Sequence, residues 1–197
     1  MMDFPRDNTT PTRTLEDLER AVRALAVHFK ADTVIIIGSQ SVLLEWPDAP
    51  ILMRTSDEID AFPENAADWE DKTGLEASEE INVLIGQYSR FEETHGFFID
   101  GVDETTAKLP VGWRDRAITR EVDSHGVMVQ AVAPSPHDLA VSKMHRLADK
   151  DRDYITERHK IRPLNLGQLR EYFLESKPEG EILNRGLAFI LKLAEAS

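Results

Sequence analysis

The sequence predicts an α/β fold, with a mixed sheet of about five strands flanked by helices and closed on one side by a C-terminal helical section. Three observations carry this expectation. The β-branched run "TVIIIG" at residues 33–38 lacks polar alternation and is too short for a helix, so it reads as a strand covered on both faces. Three short β-rich runs, "GFFIDGV", "RAITREV" and "GVMVQAVAP", follow one another between turn signals. From Ser135 onward the pattern turns helical, punctuated by Pro163 and Pro178.

Taken in order, residues 1–13 read as a flexible tail, 14–134 as the α/β core and 135–197 as a helical section of the same domain. "TLEDLERAVRALAVHFKA" repeats apolar residues at helical spacing, with Leu15, Leu18, Val22, Leu25 and Val27 or Phe29 on one side, and Thr14 with Asp17 forms a capping-box pattern. After the first strand, "QSVLLEW" reads as a short helix, and "ILMRTSDEIDAFP" as a second strand ended by its proline. "ASEEINVLIGQYSRFEETHG" reads as one helix with a glycine stop, and "DSHG" as a hairpin turn between the last two strands. "SPHDLAVSKMHRLADKDRDYI" is expected as a continuous helix with Ser135 as N-cap, Pro136 in the first helical position and Asp138 completing the cap. Two further helices follow, in "NLGQLREYFLES" and "EGEILNRGLAFILKLAEA".

Composition removes several function classes. A net charge of −13 opposes any grip on nucleic acid that depends on phosphate neutralisation, so DNA is not an expected partner. The absence of cysteine excludes disulfides, thiolate metal sites and cysteine nucleophiles. No apolar run approaches a membrane span, and "MMDFPRDNTTPTRT" has neither the basic start nor the apolar core of a signal peptide, so no membrane partner and a cytoplasmic location are expected.

Two short stretches carry candidate chemistry. Gly38-Ser39 lies where a buried strand turns into a helix, where backbone N–H groups and the helix dipole can meet an anion, and Ser39 adds a hydroxyl. Many turns of this kind bind nothing. Glu58 and Asp60 are two apart, so on a strand they share a face and can share one divalent cation, magnesium or manganese being the ions that hard oxygen ligands suit. The bland alternative is a solvated strand face. A phosphate turn beside a carboxylate pair is what transfer of a nucleotidyl group from a nucleoside triphosphate (NTP) requires.

These residues resemble a known family. "GSQS" followed by "EID" is similar to the Gly-Ser and Asp-x-Asp signature of the DNA polymerase beta type nucleotidyltransferase superfamily. The segments "GSQSVLLEWPDAPILMRTSDEIDAFP", "YSRFEETHGFFIDGVDETTAKLPVGWRDR" and "PHDLAVSKMHRLADKDRDY" resemble a bacterial group of nucleotidyltransferase-like proteins related to the abortive-infection (AbiEii-like) and toxin-antitoxin nucleotidyltransferases. The resemblance implies the nucleotidyltransferase fold, with Gly38 and Ser39 as the triphosphate turn and Glu58 and Asp60 as Mg2+ or Mn2+ ligands. It also implies a third carboxylate on a later strand, for which Asp100 in "FFIDGV" is the candidate. The first metal position holds glutamate where the superfamily prefers aspartate. That longer arm keeps open a rival reading, a nucleotidyltransferase fold that binds or regulates without turnover. The implied reaction moves a nucleotidyl group from an NTP to a hydroxyl on an RNA end or a protein, and the acidic surface favours protein. A cognate antitoxin-like protein is the further partner such a relationship implies.

On a helical wheel for the "KMHRLADKDRDY" region, Ala140, Met144, Leu147, Ala148, Tyr154 and Ile155 form the apolar stripe, and Asp151 falls inside it. A buried carboxylate there needs a cation or a set of donors. Lys143, Lys150 and Arg146 border the stripe. Lys143 either reaches the nucleotide phosphates, with Asp151 orienting a basic group beside them, or the two form a structural ion pair. Trp113 with Arg114 and Arg116 is open between packing and base stacking, a tryptophan after glycine being more often packed.

Overall fold

The computed structural model of the chain describes residues 11–195. Most of the expected tail therefore lies outside the described residues. Its last residues are tied down: Thr12 forms a β-bridge with Thr55, and the Arg13 N–H donates to the Arg54 carbonyl at 2.8 Å.

Helix α1, Leu15–Phe29, starts at the predicted capping box, with both reciprocal bonds between Thr14 and Asp17 present. Of its two alternative last stripe residues, Phe29 is buried and Val27 is exposed. Strand β1, Thr33–Ile36, is followed by a single 3-10 turn, Ser39–Ser41, and α2, Val42–Glu45. The expected second strand is shorter than the sequence suggested. Residues Ile51–Arg54 form a helical turn, α3, started at Pro50, and β2 runs only over Glu58–Pro63. A short apolar run such as "ILM" does not distinguish strand from helix by periodicity, and the Thr55 N–H donating to the Ile51 carbonyl at 2.9 Å closes it as a helical turn, with Met53 buried.

Helix α4, Ala66–Thr73, has no buried residue and was invisible as a periodic pattern. The single helix expected over 77–96 is two, α5 (Ala77–Leu84) and α6 (Arg90–His95), separated by a turn in which Tyr88 takes a φ of 65°. Strands β3 (Phe98–Gly101), β4 (Ile118–Ser124) and β5 (Val127–Ala133) match the three β-rich runs. The β4–β5 turn has positive φ at both His125 and Gly126, the backbone that the twist of a two-residue hairpin demands.

The helix expected from Ser135 begins as predicted and then breaks. Helix α7 covers Pro136–Arg146, Leu147 turns left-handed with a φ of 50°, and α8 restarts at Asp149–Ile161. Helices α9 (Leu166–Glu175) and α10 (Gly180–Glu195) complete the chain. Among the described residues no helix is long and apolar enough to cross a membrane.

The five strands form one mixed sheet in the order β3-β2-β1-β5-β4. The central strand β1 runs parallel to β5 and antiparallel to β2, while β2 and β3 are parallel. Alternation along β1 sends Val34 and Ile36 into the main core and Ile35 and Ile37 into a second cluster on the opposite face, which explains its unbroken apolar run. That second cluster is completed by Phe62, Val132 and residues from the connection between β3 and β4, chiefly Val102 and Trp113. Ile59 and Ala61 belong to the main core, so Glu58, Asp60 and Phe62 share the face of the second cluster.

A candidate active site between the sheet and the α7–α8 corner

The Ile37 N–H donates to the Asp60 carbonyl at 3.0 Å, which extends the β1–β2 ladder by one residue and brings Gly38 alongside Asp60. The approach is closer than any side chain permits. Gly38 has a φ of 72°, and a Cβ built on it would lie 1.9 Å from Asp60 Oδ2. Glycine is therefore required twice, by backbone conformation and by contact.

Ser39 follows at the start of the 3-10 turn. Its hydroxyl accepts a hydrogen bond from Lys143 Nζ at 3.1 Å, and its carbonyl accepts one from the Tyr154 hydroxyl at 3.4 Å. The helical stretch behind it is only a 3-10 turn and one short α turn, so an anion here would depend on local N–H groups and Lys143 more than on a long helix dipole.

Lys143 is nearly buried, with 8% of its side chain exposed. Its ammonium lies 4.4 Å from the centroid of the Tyr154 ring and 3.8 Å from Asp151 Oδ1. Burial pulls its pKa down to about 8; the nearby Asp151 and Asp60 charges resist that and Arg146 assists it. The ammonium is thus held by a ring face, a hydroxyl and a carboxylate, with only part of the compensation a buried charge needs.

Across from it, burial and then the charges of Glu58 and Asp100 push the Asp60 carboxyl up to about 7, against the pull of Lys143. Burial, and then Asp100, also raises Glu58, while Lys150 works in the opposite direction. Asp100, in direct register with Asp60 on the neighbouring strand, is raised by burial. Gly38, Ser39, Glu58, Asp60 and Lys143 all line one hollow of about 430 Å³, whose other walls include Arg146.

Two expected site residues stand apart from that lining. Asp100 sits one strand further out, and among the described residues no three Asp, Glu, His or Cys side chains group as a metal cluster. Asp151 is fully buried behind the hollow. Because the helix breaks at Leu147, it occupies the first turn of α8 instead of the middle of a longer helix. There it accepts from the Ala148 N–H at 3.0 Å and takes two bonds from the Arg146 guanidinium at 2.7 Å each. Burial opposes its charge, yet the Arg146 bonds and the Lys143 charge outweigh that and hold its carboxyl below the usual range. Asp151 thus engages Arg146 and Lys143, two of the cations that line the hollow.

Trp113 is buried in the second cluster, with the Arg114 guanidinium 4.9 Å from its ring, and Arg116 is bonded to the buried Asp138. Trp113 packs in the core, and the two arginines are engaged in ion pairs, Arg114 with Glu64 and Glu104 and Arg116 with Asp138. The residues that sequence reasoning missed at the hollow come mainly from the β3–β4 connection, Thr106, Ala107 and Lys108, and from Ser142, His145 and Ile182. An irregular connection carries no periodicity, so nothing in the spacing marked Lys108.

The pair Glu58 and Asp60 fits a divalent cation by its chemistry: two hard carboxylates on one strand face, each disfavoured as an anion by burial and by acidic neighbours. A bound cation would remove that penalty. The floor of the hollow is thus acidic and its α7–α8 wall basic, an arrangement suited to holding polyphosphate with a metal ion. No curated protein and no solved structure matches the chain. A family model does match residues 13–185, a span containing every residue of the hollow, and on that match the chain belongs to the family described as nucleotidyltransferase of unknown function (DUF6036).

Proposed function

We propose that the protein transfers a nucleotidyl group from an NTP to a hydroxyl acceptor in the hollow between β2 and α7, with magnesium or manganese held by Glu58 and Asp60. The observation that carries this reading is the close approach of Gly38 to the Asp60 carboxylate, by which the Gly38-Ser39 turn, the acid pair and Lys143 line one hollow. The Gly38-Ser39 turn and the Lys143 ammonium take the triphosphate tail, and Lys143 offsets the charge that grows on the leaving pyrophosphate. A divalent ion, when bound, supplies Lewis-acid polarisation of the attacked phosphate and makes the acceptor hydroxyl easier to deprotonate. Asp151 keeps Lys143 and Arg146 pointed at the phosphates, and Asp100 adds negative potential behind the acid pair. The acceptor we favour is a protein hydroxyl, because a chain of net charge −13 repels RNA outside the hollow.

The test is release of pyrophosphate from ATP, GTP, CTP and UTP with magnesium, in the presence of bacterial protein or RNA as acceptor. Activity is expected to need the metal and to fall by at least about a hundredfold in Asp60→Ala, with circular dichroism unchanged. A second reading, a nucleotide-binding regulator without turnover, has its own observation: among the described residues two carboxylates line the hollow, and one is the longer Glu58. NTP binding without pyrophosphate release from any of the four would favour it.

A further inference from the structure

The connection between β3 and β4, residues 102–117, crosses the second face of the sheet as a fixed strap. Its first turn is closed by Asp103, whose Oδ1 accepts from the Thr105 N–H at 2.7 Å and the Thr106 N–H at 3.1 Å. Its far end is anchored by buried Trp113, by Arg114 on Glu64 and Glu104, and by Arg116 on Asp138. The Arg116 guanidinium also lies 4.1 Å from the ring of Tyr172 on α9. Between these anchors Ala107 and Leu109 pack onto the second cluster. Lys108 lies between two residues pinned to the sheet, and it lines the hollow.

The charges around the hollow do not cancel. Arg146 and Lys143 are engaged by Asp151, and Lys150 lies close enough to Glu58 to favour its ionisation. Lys108 faces α7, where its charge adds to burial in depressing the His145 imidazole. Neither Lys108 nor Lys150 makes an ion pair or a side-chain hydrogen bond with another described residue. Lys108 is exposed at the hollow, so its ammonium is hydrated and available to an anion that enters.

We propose that Lys108 grips the terminal phosphate of the substrate, so that the strap distinguishes a triphosphate from a shorter phosphate. This rests on the triphosphate reading of the hollow. Because the flanking residues are already packed, only the lysine side chain and not its backbone has to be ordered when the anion arrives, and the contact forms once the phosphate chain is long enough to reach it. The inner phosphates are left to Ser39 and Lys143.

The experiment is calorimetric titration of magnesium tripolyphosphate and magnesium pyrophosphate into the wild-type protein, Lys108→Met and Lys108→Arg. Tripolyphosphate affinity is expected to fall about tenfold in Lys108→Met and to recover largely in Lys108→Arg, with pyrophosphate affinity and melting temperature little changed. Equal tripolyphosphate affinity in wild type and Lys108→Met overturns the assignment of Lys108 alone. Equal loss of both ligands in Lys108→Met overturns it as well, by showing a general electrostatic effect. If the wild-type protein takes up no tripolyphosphate, the triphosphate reading falls and this inference falls with it.

Discussion

Gly38 shows how a single residue decides whether the site exists. Its backbone lies in a region that side chains enter only with strain, and its missing Cβ is the space that Asp60 Oδ2 fills. Gly38→Ala is expected to destabilise the protein by about 2 kcal/mol in urea denaturation, from backbone strain plus displacement of the carboxylate. Half of that argument concerns one side chain, so it can be isolated. In the Gly38→Ala/Asp60→Ala double variant the contact is gone and the strain remains, and the combined loss should be smaller than the sum of the single losses. Strict additivity would mean that the close approach of Gly38 to Asp60 contributes nothing. The requirement for glycine was legible in "TVIIIGSQS", because a strand leaving a core needs a sharp turn. Contact with Asp60 was not legible, since it depends on β1 and β2 being antiparallel neighbours in one particular register.

At the scale of elements, the break between α7 and α8 governs the basic wall of the hollow. A continuous helix would bury Asp151 in the apolar stripe with no partner. Left-handed Leu147 instead ends α7 on its own N–H, which donates to the Lys143 carbonyl at 2.8 Å, and lets Asp151 start α8. Asp151→Ala removes a cap, two guanidinium bonds and the carboxylate beside Lys143 together, and is expected to cost about 3 kcal/mol by denaturant titration. Asp151→Asn keeps an acceptor for the Ala148 N–H and should lose less. Tripolyphosphate affinity measured in both variants then separates the roles: loss in both marks Asp151 as the residue that aims Lys143, while retention in Asp151→Asn would leave it only a cap. Helix breaks at Leu147 and Tyr88 left no trace in the sequence, because neither residue favours positive φ and tertiary packing overrides that preference.

Across the whole molecule, the helical section acts as the far wall of the site as well as a cover for the core. Gly186 on α10 packs directly on Phe173 of α9, where an added Cβ would meet the ring at 2.3 Å. One turn earlier on α10, Ile182 lines the hollow. Gly186→Ala improves helix propensity yet overfills this contact, and a net destabilisation of about 1 kcal/mol is expected from thermal unfolding. An increase in melting temperature would show that α10 moves away from Phe173 without cost. The acidic balance also operates at this scale. The chain as a whole carries a net charge of −13, while Lys108, Lys143, Arg146 and Lys150 line the hollow.

The sequence by itself determined the five strands in their order along the chain, the helices α1, α9 and α10, the capped starts of α1 and α7, and the acid pair on one strand face. These rest on local preferences and on periods of two and 3.6 residues, which act over a few residues whatever the rest of the chain does. Only the tertiary structure decided that Asp100 stands a strand away from the hollow, that Asp151 serves as a cap behind it, and that Lys108 faces into it. Each of those placements depends on which distant segments pack together, and long-range packing balances burial, charge and chain reversal across residues that spacing does not relate.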